Sequence, residues 1–295
     1  MKFADPKNDL AFKKIFGNEN KKEILISFLN SVLDFKDEKA IADVSLDNPY
    51  QLPNIKELKE TILDIKATNK NGDKFIVEMQ KKDLSDFDKR SLYYTSKAYV
   101  SQIEKGEDIK NLKRVYYIAI LNFNIFDNTN YISRHLIINQ ETTTQDLKDF
   151  EFTFIELKKF NLELCDLKTI IEKWIYFIIN ASNLEFIPKE YEDIKEFQIA
   201  FETAKQYNWS KKELEYYDSV DLKRADDKNA IETARMKGLR HGIEQGIKQG
   251  IEQGIKQGIE QEKIEIIKNS ISQGLDNKTI SMITKVDEDF IESLR

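Results

Sequence analysis

The segment ILDIKATNKNGDKFIVEMQK, residues 62–81, constrains the fold more than any other, because it spells two strands joined by a tight turn. A three-residue loop Lys70-Asn71-Gly72, with Gly72 left-handed to close a bulge, pairs Asn69 with Asp73. That register sets Asp64 directly opposite Glu78. A two-residue Asn71-Gly72 loop would instead set Asp64 opposite Met79 and send the two acids to different faces. The placement of both carboxylates therefore hangs on one turn.

In the first register, Leu63, Ile65 and Ala67 share an apolar face with Phe75, Val77 and Met79. Ile62, Asp64, Lys66, Ile76, Glu78 and Gln80 take the other face. Carboxylates facing each other across a sheet repel. A sequence that places them there either buries them beside a cation or leaves them at a solvated edge, and the parity favours the first.

The 295 residues, 40% of them hydrophobic, suffice for one large domain or two small ones. A net charge of -6 argues against a chain coated for nucleic acid, so any DNA contact must come from local basic patches. One cysteine, Cys165, and two histidines, His135 and His241, rule out a disulfide framework and a zinc cluster. The opening MKFADPKNDLAFKK has no apolar signal core, and runs such as Val115 to Leu121 and Trp174 to Ile179 are too short to span a bilayer. A cytoplasmic, non-membrane chain is expected.

Leu10, Phe12, Ile15 and Phe16 have helical spacing between a start at Asp9 and a stop at Gly17. A second helix is expected from Lys21 to Leu33, then a strand near Asp43 to Leu46 and a turn region with Pro49 and Pro53. After the hairpin, Asp86 to Glu104 is helical and long enough for the crossover that parallel strands need. Val115 to Leu121 is continuously apolar, as in a strand buried on both faces. Further strands are expected at Arg134 to Gln140 and Phe152 to Leu157. The order gives an α/β fold, a mixed sheet flanked by helices. From Asp166 to about Ala225 the pattern is helical, with Trp174, Phe177 and Ile178 on one stripe and Phe197, Phe201 and Ala204 on another.

Gly242 to Gln261 reads GIEQGIKQGIEQGIKQGIEQ, and with Gly238 this region holds six of the ten glycines. Each four-residue repeat rotates the stripes about 40° around a helix, so no straight seam forms. Glu244, Lys248, Glu252, Lys256 and Glu260 alternate in sign, each pair adding roughly 0.2–0.5 kcal/mol. Each glycine costs about 1 kcal/mol relative to alanine. The segment is thus either a semi-flexible spacer or a helix that persists through self-association in a homo-oligomer. The tail, from Lys263 to Arg295, divides into helical stretches around Gln273-Gly274 and Lys285-Val286. Its last helix carries Asp287, Glu288, Asp289 and Glu292, which would repel phosphate, so a small interaction or stabilising bundle is expected there.

An acid on one strand and an acid-x-polar pair on the next suits magnesium, which keeps several waters and takes one or two protein carboxylates. As spacing alone the pattern is weak. The chain nevertheless resembles the PD-(D/E)xK nuclease fold and, more closely, the bacterial recombination-promoting nuclease family, also described as PD-(D/E)xK transposases. The matching pieces are DPKNDLAFKKIFG, ILDIKATNKNGDKFIVEMQ, RSLYYTSKAYVSQIEKGEDIKNL, VYYIAILNF and FIELKKF, in that order.

The resemblance implies a restriction-endonuclease-like domain over 1–165, a helical extension over 166–225, the repeat over 226–262 and the tail over 263–295. It also implies a metal-dependent DNA endonuclease of recombination or mobile elements, with Asp64 and Glu78 as ligands of Mg2+ or Mn2+ and the Met79 carbonyl as a further one. Asp9 matches an acid that the family brings near the site, and otherwise reads as a helix N-cap. Gln80 stands where the superfamily has lysine. An amide can orient water or phosphate but brings neither a base nor a positive charge. Lys82 and Lys66 share the face and are candidates to replace that charge. Arg90 and Tyr94, one helical turn apart, are phosphate-binding candidates, Arg90 reading alternatively as a partner of Asp86. The competing reading is a nuclease-fold module that binds nucleic acid or protein without catalysis.

Overall fold

The helix α1 (Asp9–Phe16) forms because Ala11, Phe12, Ile15 and Phe16 fall on one face and bury it. Its cap is Asn8, whose side chain accepts the Leu10 N–H, so the N-cap reading of Asp9 is corrected by one position. Asp9 instead occupies the first turn, where an acid suits the helix dipole. The computed structural model describes residues 2–47, 50–51, 61–62, 64–82, 86–104 and 106–295. The turn region with Pro49 and Pro53 lies outside the described residues.

After α2 (Lys22–Leu33) come β1 (Val44–Leu46) and a separate two-stranded ladder of β2 (Tyr50–Gln51) with β3 (Thr61–Ile62). The hairpin of β4 (Ile65–Asn69) and β5 (Lys74–Gln80) follows. Gly72 has φ +88°, its N–H bonds Asn69 O at 3.0 Å, and Asn69 N–H bonds Asp73 O at 3.1 Å. This is the three-residue loop. It fixes Ile65 opposite Val77 and Thr68 opposite Lys74.

The chain then crosses through α3 (Phe87–Val100) to β6 (Val115–Leu121), which lies parallel to β5 and is buried throughout. An edge strand β7 (Ile132–Leu136) and a parallel β8 (Phe150–Glu156) complete a six-stranded mixed sheet in the order β1-β4-β5-β6-β8-β7. β7 ends earlier than the apolar run Leu136–Ile138 suggests. Asn139 stops it by accepting the N–H groups of Glu141 and Thr142 with its side chain, and its carbonyl accepts that of Thr143, leaving Ile137 and Ile138 exposed. β8 breaks simple alternation because Glu156, fully buried, accepts the N–H groups of Ile125 and Phe126 and pairs with Lys159.

One sheet face carries Ile65, Ala67, Phe75, Val77 and Met79 into the main core with α1, α2, α4 (Ile170–Asn180) and α5 (Lys195–Ala204). There Trp174 stacks on Phe197 with ring centroids 3.9 Å apart. The other face puts Ile76, Tyr117 and Ala119 under Phe87 and Ala98 of α3. The acids of the hairpin belong to this second, thinner layer. The result is the α/β fold expected from the sequence, a mixed sheet flanked by helices.

The chain divides into compact units Met1–Asp221 and Leu222–Arg295, with α6 running Lys211–Ser272. In the second unit the glycine repeat is helical. Ile243, Ile247, Ile251, Ile255 and Ile259 are 49–59% exposed, and a Cβ at any of the six repeat glycines would meet nothing within 4 Å. Further on, the end of α6 packs with α7 (Asn277–Thr284) and α8 (Glu288–Glu292) around Ile267, Ile280 and Ile291. Gly274 at φ +77° and Lys285 at φ +56° make the turns between them. The open space at the glycines leads to an expected outcome. Replacing Gly246, Gly250 and Gly254 by alanine should stabilise the local helix by about 1 kcal/mol each, read as slower amide exchange in the repeat. Unchanged exchange would show that this backbone is held by something other than its own helix.

Candidate functional site

The β4–β5 ladder runs to Ile65, and Asp64 stands one residue before it. Extending the register brings Asp64 opposite Glu78, both on the α3 side of the sheet. Asp64 Oδ2 accepts the Met79 N–H at 2.8 Å, so the carboxylate takes the place of the next ladder carbonyl. In a strand, the N–H and C=O of one residue point to the same side. The Met79 carbonyl therefore faces the edge where Asp64 sits, whereas the Gln80 carbonyl accepts the Asn122 N–H on the β6 side.

From α1, Asp9 and Lys13 stand one turn apart on the same face. Lys13 Nζ lies 3.5 Å from Asp64 Oδ1. Where α1 ends, a Cβ on Gly17 would sit 2.8 Å from the Lys13 carbonyl oxygen, too close, and 3.5 Å from Ile65 Cγ1, an ordinary contact. A side chain would therefore strain the last turn of α1 itself, while its contact with β4 would be an ordinary one.

Burial raises the Asp64 carboxyl above its ordinary range, opposed by the Met79 N–H and Lys13 and reinforced by the charge of Asp9. Glu78 is only 7% exposed, and its Oε1 has no hydrogen-bond partner. Burial first and the charge of Asp64 second push its carboxyl well above the usual glutamate value, against Arg90, Lys13 and the Asp64 N–H. The pair thus resists ionising together.

From α3, Arg90 lies over the Tyr94 ring at 5.4 Å, and its charge reaches both Tyr94 and Glu78. Its Nε is buried with no hydrogen-bond partner, and its backbone N–H bonds the Asp86 carbonyl. Tyr117 on β6 lies close enough that the Glu78 charge, after burial, raises its phenol. Gln80 turns along its own strand and donates from Nε2 to the Lys82 carbonyl at 3.0 Å. Lys82 is exposed beyond the strand end. Lys66 faces a cavity of about 360 Å³ that it shares with Lys74 and Lys113, where burial lowers its pKa and Asp47 opposes the shift. Neither of these lysines is among the main charges acting on Asp64 or Glu78, a role that falls to Lys13 and Arg90.

Among the described residues no three acidic, histidine or cysteine side chains cluster tightly enough to hold a metal. Asp9 acts on Asp64 through its charge. The two facing acids still fit a hard cation. An unpartnered buried carboxylate oxygen lies near a second acid, and magnesium needs only one or two carboxylates when waters or phosphate fill the rest. The residue that the sequence reading missed is Lys13. Its signal was present in the i,i+4 spacing from Asp9, but nothing in the pattern of α1 says which strand its outer face meets.

Residues 6–234 match the family model described as PD-(D/E)XK nuclease family transposase. No curated protein and no solved structure matches the chain.

The buried acids have a pH signature. Because the Glu78 value is raised by folding, its stabilising contribution is fully present below the unfolded-chain value, near 4.5, and is lost as pH rises through the folded value. Glu78→Gln should therefore flatten the alkaline loss of stability in chelator-treated protein. At pH 8 it should melt a few degrees above the parent, since about 1 kcal/mol shifts Tm by roughly 2–4 °C in a domain of this size. Parallel melting curves for the two proteins between pH 5 and 8 would contradict the assignment.

Proposed function

This chain belongs to the PD-(D/E)XK nuclease family of transposases, and we propose that it is a metal-dependent DNA endonuclease acting in recombination or mobile-element movement. The observation that carries the reading is the unpartnered, buried Oε1 of Glu78, a carboxylate on which the charge of Asp64 acts. Asp64 Oδ1, Glu78 Oε1 and the Met79 carbonyl would hold Mg2+ or Mn2+. Such an ion, when bound, polarises a phosphate and makes hydroxide available from its water near neutral pH. Asp9, at the mouth of the site, tunes Asp64 by charge. Gln80 is placed to orient a water or a phosphate oxygen once it leaves the Lys82 carbonyl. Arg90, steadied on Tyr94, neutralises charge on the Glu78 side.

DNA is the polymer that the family implies, and local charge supports it despite the net -6. Lys66 lies two residues along the same strand face from Asp64 and shares its cavity with Lys74 and Lys113. Phosphates flanking the cut site would meet these lysines, and binding should weaken steeply with salt. Among the described residues no helix is long and apolar enough to cross a membrane, in keeping with a cytoplasmic chain. The exposed isoleucines of the repeat offer a surface for a second copy, and truncation after Lys237 should then lower the mass seen by light scattering to that of one chain. An unchanged mass would exclude assembly through the repeat.

One observation favours a second reading, a nuclease-fold module that binds without cutting: the Gln80 amide is turned toward Lys82 and away from the acids. Calorimetry and cleavage separate the two. Magnesium-dependent nicking of supercoiled DNA should fall by about 10²-fold or more in Asp64→Ala and Glu78→Ala. A parent that binds neither metal at millimolar concentration, or variants as active as the parent, would overturn the nuclease reading.

A further inference from the structure

We propose that Lys13 provides the positive charge that Gln80 cannot. It holds Asp64 Oδ1 until a divalent ion takes that oxygen, and then turns its ammonium to the phosphate being cut. The proposal rests on the nuclease reading above and adds a residue to it. Asp64 has two oxygens, and Oδ2 is committed to the Met79 N–H. Oδ1 is therefore the oxygen left for an incoming ion, and it is the one that Lys13 approaches at 3.5 Å. Among the described residues this is the ion pair that reaches either acid.

Three features suit Lys13 to exchange partners. Its side chain is 40% exposed against 15% for Asp64, so the ammonium can swing outward without uncovering the core. Its stem is flexible and its charge compact, unlike the planar fork of Arg90. Its backbone is fixed: the Lys13 carbonyl accepts the Gly17 N–H at 2.9 Å, and Gly17 packs beside Ile65, the residue after Asp64. Asp9, one turn earlier, keeps a second negative charge near Asp64 and thereby favours cations at this mouth.

The alternative candidates lie elsewhere. Lys66 lines the cavity with Lys74 and Lys113, and Lys82 follows the end of β5 on an exposed bend. Arg90 comes from α3, and its charge acts on Glu78 rather than being among the main charges on Asp64.

The test uses the full chain in four forms, the parent, Lys13→Ala, Lys13→Arg and Asp64→Ala. Mn2+ binding is measured by calorimetry, and nicking of supercoiled DNA is measured at saturating metal. Removing a competitor for Oδ1 should tighten Mn2+ binding in Lys13→Ala by about twofold to fivefold, the scale of a half-exposed ion pair. Nicking should nevertheless fall by about 10²-fold, and Lys13→Arg should recover at least a tenth of the parent rate. A merely structural lysine would lose metal affinity together with activity. Lys13→Ala that binds metal as poorly as Asp64→Ala, or that nicks within threefold of the parent, would overturn the proposal while leaving the nuclease reading intact. A parent that binds no Mn2+ would overturn both, and the parent titration alone shows it.

Discussion

The hairpin depends on a single left-handed residue. Gly72, at φ +88°, closes a loop that a residue with a Cβ would adopt only at a cost. That loop sets the pairing of β4 and β5, and a slip of one residue would carry every side chain to the other face. Ile65, Ala67, Phe75, Val77 and Met79 would leave the main core, and the facing acids would be separated. The same register places β5 for its parallel partner β6, so the centre of the sheet inherits it. A constraint on one backbone dihedral thus reaches both the core and the site.

What the register creates is an electrostatic conflict. Two carboxylates brought face to face in a thin, largely apolar layer would be expelled from an ordinary core, because a buried charge without a partner costs far more than the hydrophobic contacts around it return. The surroundings ease this only in part. Asp64 receives one N–H and one ammonium, and Glu78 feels Arg90 and Lys13 at longer range while one of its oxygens stays bare. Stability and ion binding therefore pull the same residues in opposite directions, which is the arrangement expected where a site is held ready for a cation. The full satisfaction of Glu156 is the contrast within the same sheet. Two N–H groups and a half-buried lysine meet its carboxylate, and nothing is left over for a ligand.

Much of the first unit was legible in the sequence because its signals are local. Period-two and period-3.6 patterns located the central strands and helices, Gly72 announced the turn, and the continuous run at Val115 marked a strand covered on both sides. The misplacements have local causes too. Asn8 rather than Asp9 caps α1 because its side chain reaches the Leu10 N–H, and both residue types are good caps. β7 ends early because Asn139 bends the chain despite the isoleucines before it. Lys13 was illegible for a different reason. Its role depends on how α1 lies against β4, a long-range packing that brings its ammonium to Asp64 and that no local pattern in α1 encodes.

The lysines of the site show the limit of reading chemistry from parity. Lys66 shares a sheet face with Asp64, so spacing made it a natural replacement for the absent strand lysine. A side chain several carbons long is not bound to the direction of its Cβ, however, and this one lines the cavity with Lys74 and Lys113. Lys13 comes from another element altogether and reaches Asp64 from the mouth of the site. A strand can fix a carboxylate because its short side chain must follow the pleat. The position of a lysine ammonium is set by the charges around it. For a site of this kind, the acids can be found by counting along the strands, and the cation only by asking which ammonium the acids attract.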